Sequence, residues 1–327
     1  FITGYPSAPP IYRNLIKHSD GNLYATTSAG GANRFGSVVK WSAGGAFSTV
    51  TSLVSSGTTS TLPNSLIEGT DGLLYGTNQT GGASGAGGLF SVTTGGSFTT
   101  LTTFTGTTGA APGTTPNAHL TAGGDGNYYG VTSTGGGTSN LGCVYRITPE
   151  GAYTVLGAFT GTTGAMPGNG PQSRLVLAGD GRLYGTTSTG GTGNFGTIFR
   201  VDVSTGTVTS LLSFTGTTGA ALGTNPNSTL ILGSDGKLYG TTTAGGSGSG
   251  TIFSFTTGGT LTTLMSFTGT SGAFPGSSPA INLMFGADGH LYGTTLGGGA
   301  SASGVLFRCT TFIGVCVEMI EIGRASC

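Results

Sequence analysis

Charged residues are scarce in this 327-residue chain, at 7% of the sequence against about 25% in a typical soluble protein. The 11 basic and 11 acidic residues cancel in net charge. They form no Lys/Arg run, so the basic footprint of a nucleic-acid-binding protein is missing and no nucleic acid is expected as a partner. Apolar runs are also short. None reaches the roughly 18 to 20 residues that a transmembrane helix needs, so no membrane span is expected in this sequence.

Glycine is abundant, at 67 residues, and much of it belongs to a tandem repeat. The most regular segment of the repeat, Asp-Gly-x-Leu/Tyr-Tyr, begins at six aspartates: Asp20, Asp71, Asp125, Asp180, Asp235 and Asp288. Their spacings are 51, 54, 55, 55 and 53 residues. Each copy continues with Gly-Thr-Thr or a close relative, a Gly-Gly loop, and Gly-Thr-Ile-Phe or its equivalent. Since self-similarity at a fixed period is the signature of repeat architectures, the chain is predicted to be an array of units of about 54 residues.

Each unit contains four runs of strand length, rich in β-branched and aromatic residues and separated by turn residues. In the fourth unit the runs are 173–178, 183–187, 197–203 and 208–214. Asp180-Gly181 joins the first two as a tight hairpin, in which a positive φ is tolerated. The fold class predicted from this pattern is all-β, a β-propeller of about six four-stranded blades. An open β-solenoid is the structural alternative.

The domain organisation follows from the repeat. A single repeat domain is expected over residues 1–310, and residues 311–327 are expected to be an aberrant tail outside the native protein. The units are placed at about 10–62, 63–115, 116–170, 171–225, 226–278 and 279–310, the last one incomplete. Residues 1–4 align with the end of a fourth strand, such as Phe159-Thr160-Gly161. The sequence is therefore expected to be a fragment of a longer reading frame, cut on both sides.

The string Gly-x-Asp-Gly-x-Leu-Tyr-Gly-Thr-Thr-x-x-Gly-Gly, followed by Gly-Thr-Ile-Phe and Leu-x-Ser-Phe-x-Gly, resembles the GloVer tandem-repeat family. It is clearest over 173–226 and 228–279. The resemblance implies an extracytoplasmic bacterial protein, often secured to the cell surface by a C-terminal sorting signal. It implies no enzyme activity, because no catalytic residues of the family can be carried over to this sequence.

The titratable residues suggest no catalytic centre. Six of the eleven acids are the aspartates of the repeated turn, where local backbone hydrogen bonds explain them as structural turn residues. Apart from the tail, the remaining acids are Glu68, Glu150 and Asp202. The histidines His18, His119 and His290 occupy unlike positions and lack the spacing of a zinc site. No catalytic residue, metal or cofactor is therefore predicted.

Binding is predicted in the loops between the second and third strands, because equivalent propeller loops gather on one rim and loops on a rigid scaffold often carry function. The candidate ligand-binding residues there are Asn33, Arg34, Asn140 and Asn194. A basic position in the third strand also recurs, at Lys40, Arg146, Arg200 and Arg308. It is interpreted as a solvent-facing side chain rather than as an anion-binding ring.

The leading functional prediction is a non-enzymatic extracellular repeat protein. In this hypothesis the chain is a structural or adhesive surface module whose rim binds a polysaccharide or a cell-surface protein. One alternative is a propeller enzyme, a hydrolase or lyase acting on extracellular polysaccharide. An enzyme of this kind is expected to break the repeat with unmatched polar residues. Another alternative is a lectin with one sugar site per blade.

Overall fold

The computed structural model describes residues 12–54, 60–116, 119–279, 283–310 and 315–321. The chain divides into two compact units, unit 1 over Phe1–Phe159 and unit 2 over Thr160–Cys327. Each unit holds three antiparallel sheets, numbered one to six along the chain. The predicted single domain over 1–310 stays a prediction. None of the described residues forms a helix long and apolar enough to cross a membrane.

The three sheets of unit 1 have four strands each, hydrogen-bonded in chain order. The first sheet consists of β1 (Tyr12–Lys17), β2 (Leu23–Thr27), β3 (Ser37–Trp41) and β4 (Phe47–Ser52). The second consists of β5 (Ser60–Glu68), β6 (Leu74–Gly81), β7 (Gly88–Val92) and β8 (Phe98–Thr103). The third consists of β9 (Thr121–Ala122), β10 (Tyr128–Thr132), β11 (Cys143–Ile147) and β12 (Tyr153–Ala158).

Unit 2 repeats this plan. The fourth sheet consists of β13 (Val176–Leu177), β14 (Arg182–Thr187), β15 (Thr197–Asp202) and β16 (Val208–Ser213). The fifth consists of β17 (Ile231–Leu232), β18 (Leu238–Thr242), β19 (Thr251–Phe255) and β20 (Leu261–Ser266). The sixth consists of β21 (Ser277–Pro279), β22 (Met284–Phe285), β23 (Leu291–Gly297), β24 (Val305–Thr310) and β25 (Val315–Glu321). Its first strand is in two pieces, because β21 and β22 both pair with β23.

The sixth sheet differs from expectation at its outer edge. Although the Leu-x-Ser-Phe pattern ends with the fifth unit, β25 pairs antiparallel with β24 inside the segment interpreted as an aberrant tail. Five of the seven residues of β25 are apolar, and its two valines and one isoleucine favour a strand. Residues 1–4, 311–314 and 322–327 lie outside the described residues, so the predictions made for them stay predictions.

The hairpin between the first two strands has the same turn in every sheet. The glycine of each Asp-Gly pair has a positive φ: Gly21, Gly72, Gly126, Gly181, Gly236 and Gly289. The aspartate does not. In the first sheet Gly21 N donates to His18 O, and His18 N donates to Asn22 O, each over 2.9 Å. This is a type I turn closed by a glycine bulge rather than a two-residue hairpin.

Neighbouring sheets of one unit pack face to face. We call the face that contacts the following sheet of the same unit the forward face, and the opposite one the backward face. Between the first and second sheets, Tyr24 and Val38 pack forward against Leu66, Leu74 and Phe90. Equivalent clusters join the second sheet to the third, the fourth to the fifth and the fifth to the sixth. Strands covered on both faces explain why the apolar residues do not alternate strictly.

Candidate functional site

The six turn aspartates make one hydrogen-bonded clamp with the tyrosine four residues later. In each sheet the aspartate Oδ1 accepts a hydrogen bond from the backbone N–H two residues on, over 2.9–3.1 Å. Its Oδ2 accepts one from the tyrosine hydroxyl, over 2.6–2.9 Å. The clamp ties the turn to the second strand, as expected for a structural carboxylate in a turn.

Burial and hydrogen bonding shift the pKa values of the two clamp residues in opposite directions, upward for the tyrosine and downward for the aspartate. Burial, and next the hydrogen bond to Asp180, raise the pKa of Tyr184 to about 12. Burial alone would raise the pKa of Asp125 too, but hydrogen bonds from Asn127 and Tyr129 outweigh it and hold that pKa below its usual range. At neutral pH the clamp therefore joins an ionised carboxylate to a neutral phenol.

The recurrent basic side chains lie beside the clamp. Their partners across the second and third strands are the clamp tyrosines, in the pairs Lys40–Tyr24, Arg146–Tyr129, Arg200–Tyr184 and Arg308–Tyr292. All four basic residues are half-buried, so they are less solvent-facing than the sequence indicated. The other two sheets have buried serines at this position, Ser91 and Ser254.

The predicted rim residues make hydrogen bonds within their own repeats. Asn140 Oδ1 accepts from Gly135 N, and Asn194 Oδ1 accepts from Gly190 N, each over 2.9 Å. Asn33 Nδ2 donates to Leu53 O over 3.2 Å. Arg34, Asn140 and Asn194 also have positive φ, a conformation that asparagine tolerates better than most residues. These hydrogen bonds hold the loops in their conformation, and the ligand-binding role of the four residues stays a prediction.

An acid–base cluster lies at the turn of the first sheet. His18 is buried, with Nδ1 3.0 Å from Asp20 Oδ1 and Nε2 3.4 Å from Glu68 Oε1 of the second sheet. Ser19 N donates to both Glu68 carboxylate oxygens, over 3.1 and 3.0 Å. The Tyr24 ring meets the imidazole edge-on, with centroids 5.3 Å apart. One histidine is thus held between two carboxylates from neighbouring repeats.

The His18 ring has partners for either protonation state. Asp20 N lies 3.1 Å from Nδ1 and donates to it when that nitrogen is unprotonated. Nε2 lies 3.2 Å from Gly72 O and donates to it in the same tautomer. In the imidazolium form both N–H groups face a carboxylate oxygen. The ring is therefore held in place by backbone and carboxylate partners on both of its nitrogens.

Asp20 stays ionised in this cluster. Its burial favours the neutral acid, but hydrogen bonds from Asn22, Tyr24 and His18 outweigh that effect and hold the pKa of Asp20 well below its usual range. A carboxylate this weakly basic orients a histidine rather than accepting its proton. Glu68, the other carboxylate of the cluster, lies at the Nε2 side of the ring.

Both His18 and Glu68 depart from the repeat. His18 stands where the other sheets have small residues: Gly69, Gly123, Ala178, Gly233 and Gly286. Glu68 stands where the others have Lys17, Ala122, Leu177, Leu232 and Phe285. The equivalent of the Glu68 contact in unit 2 is apolar, with Phe285 packed on the Tyr239 ring at a centroid distance of 5.4 Å. Sequence reasoning considered both residues but treated them separately. Aligning the non-matching polar residues of adjacent repeats would have paired them.

The described residues contain no group of three or more His, Cys, Asp or Glu side chains arranged to hold a metal ion. His290 is beside its own turn aspartate, Asp288, with Nδ1 3.9 Å from Oδ1. Arg182 connects Asp180 and Asp202 at the surface of unit 2, at 3.5 and 3.0 Å. Cys143 is fully buried, and this burial raises the pKa of its thiol, so it lacks the thiolate character of a nucleophile.

Solved structures with a similar fold include enzymes. The periplasmic gluconolactonase of Pseudomonas aeruginosa matches with a TM-score of 0.57 and 15% identity, over 94% of this chain and 84% of that one. A Bacteroides uniformis protein described as a 6-phosphogluconolactonase matches with a TM-score of 0.55 and 15% identity, over 96% and 86%. A puromycin hydrolase matches with a TM-score of 0.58 and 14% identity, over 97% of this chain but 48% of its own length. At such identities the likeness shows the fold, and it confirms the predicted β-propeller class.

The leading functional prediction, a non-enzymatic binding module, is wrong. The similar structures are gluconolactonases and related propellers, and the alternative of a propeller enzyme fits these comparisons better. The prediction weighed the acids repeat by repeat, and it did not consider that His18 and Glu68 meet where two sheets pack. No curated protein sequence is significantly similar to the chain. The family model described as the Gloeobacter/Verrucomicrobia repeat matches residues 5–171 and 167–319, and the chain belongs to that family.

Proposed function

We propose that the chain is a hydrolase that opens a neutral sugar lactone. The observation that carries the proposal is the cluster of His18, Asp20 and Glu68. His18 and Glu68 are absent from the equivalent positions of the other repeats, and here an imidazole lies in contact with two carboxylates. Support for the substrate class comes from the gluconolactonase whose fold resembles this one. A lactone is a cyclic ester, so its hydrolysis needs a water molecule made more nucleophilic and a proton for the leaving oxygen.

Glu68 is the residue proposed to handle this proton. Its side chain is partly exposed at 24%, whereas that of His18 is 5% exposed, so water reaches the carboxylate more readily than the ring. Water attacks the lactone carbonyl carbon while its proton passes to Glu68. The ring C–O bond then breaks, and the leaving oxygen takes the proton back from Glu68, giving the hydroxy acid. His18, held by Asp20, positions the carboxylate.

The geometry favours a lactone over a polysaccharide. A glycosidase needs two carboxyl groups facing each other across the sugar, separated by at least about 5 Å with the substrate between them. Here Asp20 and Glu68 are bridged by His18 itself, so the space between the two carboxylates is filled. The same two carboxylates would repel an anionic substrate, which favours a neutral lactone over a phosphorylated one.

The experiment is a lactonase assay by acid release, with glucono-δ-lactone and its 6-phosphate, after subtraction of spontaneous hydrolysis. The wild-type chain should open glucono-δ-lactone faster than its 6-phosphate. Glu68→Gln should lower kcat/KM about 100-fold or more, as expected for the loss of a general base. His18→Gly should also lower it, and this variant restores the residue that most of the other repeats carry. Glu150→Gln is the matched control, because Glu150 lies at an exposed turn of unit 1.

Absence of activity above background on both lactones would overturn the proposed function. If Glu68→Gln instead keeps the wild-type rate, Glu68 is not the catalytic base, and the activity belongs to another site. Faster turnover of the phosphorylated lactone would contradict the charge argument. Melting curves of each variant distinguish lost catalysis from lost folding.

An extracytoplasmic location is part of the proposal. Support comes from the periplasmic location given for the Pseudomonas aeruginosa gluconolactonase and from the resemblance to an extracytoplasmic repeat family. Antibodies raised against the chain, applied to fractionated cells that produce it, test this. Detection in the cytoplasmic fraction alone would contradict the location.

A further inference from the structure

Asp71-Gly72 is one of six Asp-Gly pairs in the chain, each in the turn between the first two strands of a sheet. An aspartate followed by glycine is prone to spontaneous isomerisation, because glycine has no Cβ to hinder attack by its backbone nitrogen on the aspartate side chain. The reaction goes through the uncharged carboxylic acid, from which water can leave. Contacts that favour the ionised carboxylate therefore protect the pair.

The turn aspartates are not equally protected. The clamp gives all six carboxylates the same two partners, the backbone N–H two residues on and the tyrosine hydroxyl. In five of them the side chain two residues after the aspartate adds a third contact, over 2.7–3.9 Å: Asn22, Asn127, Arg182, Lys237 and His290. The second sheet has Leu73 at this position. Since leucine has no polar side-chain atom, Asp71 is the turn aspartate that lacks the third contact.

The turn that contains Asp71 also supports the His18 cluster. Gly72 O lies 3.2 Å from His18 Nε2, and Glu68 is the last residue of the strand that enters the turn. Gly72 N donates to Gly69 O over 3.0 Å and closes the turn. A change in backbone length between Asp71 and Gly72 therefore displaces a hydrogen-bond partner of the His18 ring within the turn that follows Glu68.

We propose that Asp71-Gly72 is a site of spontaneous isomerisation whose modification disables the His18 cluster. The Gly72 nitrogen attacks Asp71 Cγ, and a carboxyl oxygen leaves as water with the acid proton and the amide proton. Water then adds to the resulting five-membered imide at the Asp71 main-chain carbonyl, the C–N bond there breaks, and the chain runs through the side chain. This isoaspartate lengthens the turn backbone by one carbon atom. The loss of activity rests on the proposed function, whereas the modification does not.

The test is to incubate the folded chain at about pH 6, above the interval in which acid weakens the clamps, and to map isoaspartate in its peptides by electron-transfer fragmentation. Isoaspartate should appear at Asp71 before it appears at the other five Asp-Gly pairs. Deamidation of the one Asn-Gly pair, Asn169-Gly170, is counted separately because it changes the mass. Lactonase activity should fall in step with the fraction modified at Asp71.

Two substitutions exchange the third contact between sheets. Leu73→Asn supplies the side chain that the first and third sheets have, and it should slow isomerisation at Asp71 about fivefold, the factor of one ordinary hydrogen bond. Lys237→Leu removes the third contact of Asp235, and it should speed isomerisation there while the rate at Asp71 stays unchanged. Melting curves recorded before the incubation check that each variant is folded.

Isoaspartate that appears first at another Asp-Gly pair, or at none of them, overturns the proposal. Unchanged rates in Leu73→Asn and Lys237→Leu overturn it as well. If isoaspartate accumulates at Asp71 while an initial lactonase rate persists, the link to the His18 cluster is wrong. A chain that has no lactonase activity from the start, but forms isoaspartate first at Asp71, overturns only the proposed function.

Discussion

Tyr239 and Tyr145 are both fully buried, but their hydroxyl groups have different surroundings. The Tyr239 hydroxyl donates to Asp235 Oδ2 over 2.9 Å as part of the clamp. The Tyr145 hydroxyl has no hydrogen-bond partner among the described residues. The other sheets have phenylalanine at the position of Tyr145, except for Val39 in the first: Phe90, Phe199, Phe253 and Phe307. The tyrosine hydroxyl is therefore expected to stabilise the fold at Tyr239 and to destabilise it at Tyr145.

Replacing these tyrosines by phenylalanine should have opposite effects. Tyr239→Phe removes a hydrogen bond to a partly exposed carboxylate and should lower the free energy of unfolding by about 1 kcal/mol. Tyr145→Phe removes a buried hydroxyl that has no partner and should leave stability unchanged or raise it. Urea unfolding of both variants measures the difference. Equal losses for the two variants would contradict the assignment of the clamp as stabilising.

At the scale of the element, the turns between the third and fourth strands depend on single glycines. Gly258 and Gly259 form the turn between β19 and β20, and an added Cβ would clash at neither: it meets Thr256 Oγ1 at 3.9 Å on Gly258 and nothing within 4 Å on Gly259. Gly259 has φ of 97°, whereas Gly258 is not among the residues with positive φ. Backbone conformation, rather than crowding, therefore distinguishes these neighbours.

Gly259→Ala should destabilise the fifth sheet by about 1 kcal/mol, because an L-residue is strained in the left-handed region. Gly258→Ala in the same turn should be close to neutral and serves as the matched control. Thermal unfolding of the two variants checks this expectation. A larger loss in Gly258→Ala than in Gly259→Ala would mean that the turn differs from the one described.

The elements themselves were largely predictable from the sequence. The strands around Asp180-Gly181 begin and end within a few residues of the predicted runs, because β-branched and aromatic stretches bounded by turn residues have few other conformations. The turn aspartates were assigned a structural role for the same local reason. His18 and Glu68 were not paired, because they lie 50 residues apart and meet through the packing of two sheets. The positive φ of Asn140 and Asn194 was likewise not predicted from the sequence, because it depends on the path of the loop backbone.

At the scale of the whole molecule, the clamps make stability depend on pH. The pKa values of Asp20, Asp125, Asp235 and Asp288 are lowered in the folded chain. Burial acts against this shift in all four, as the largest single effect in the first three, and hydrogen bonds from the tyrosines and the turn backbone outweigh it. The unfolded chain then binds more protons than the folded chain between the two sets of pKa values, so the clamps stabilise the fold above that interval.

The melting temperature should therefore fall as the pH decreases from about 5 to about 2, through and below the ordinary aspartate pKa near 4. Asp125→Asn keeps a side-chain oxygen for the turn but cannot ionise, so its melting temperature should depend less steeply on pH than that of the wild type. Calorimetry across this range measures both slopes. A stability that rises on acidification would show that the clamps do not have this effect.

The span of each interaction along the chain determines what happens when repeats are exchanged. A clamp joins residues four positions apart within one hairpin, so duplication or deletion of a whole unit carries it along intact. The contact between His18 and Glu68 crosses from the first repeat to the second, and insertion of a single repeat between them separates the pair. A change in repeat number therefore preserves every clamp, whereas the contact between His18 and Glu68 depends on which two repeats are neighbours.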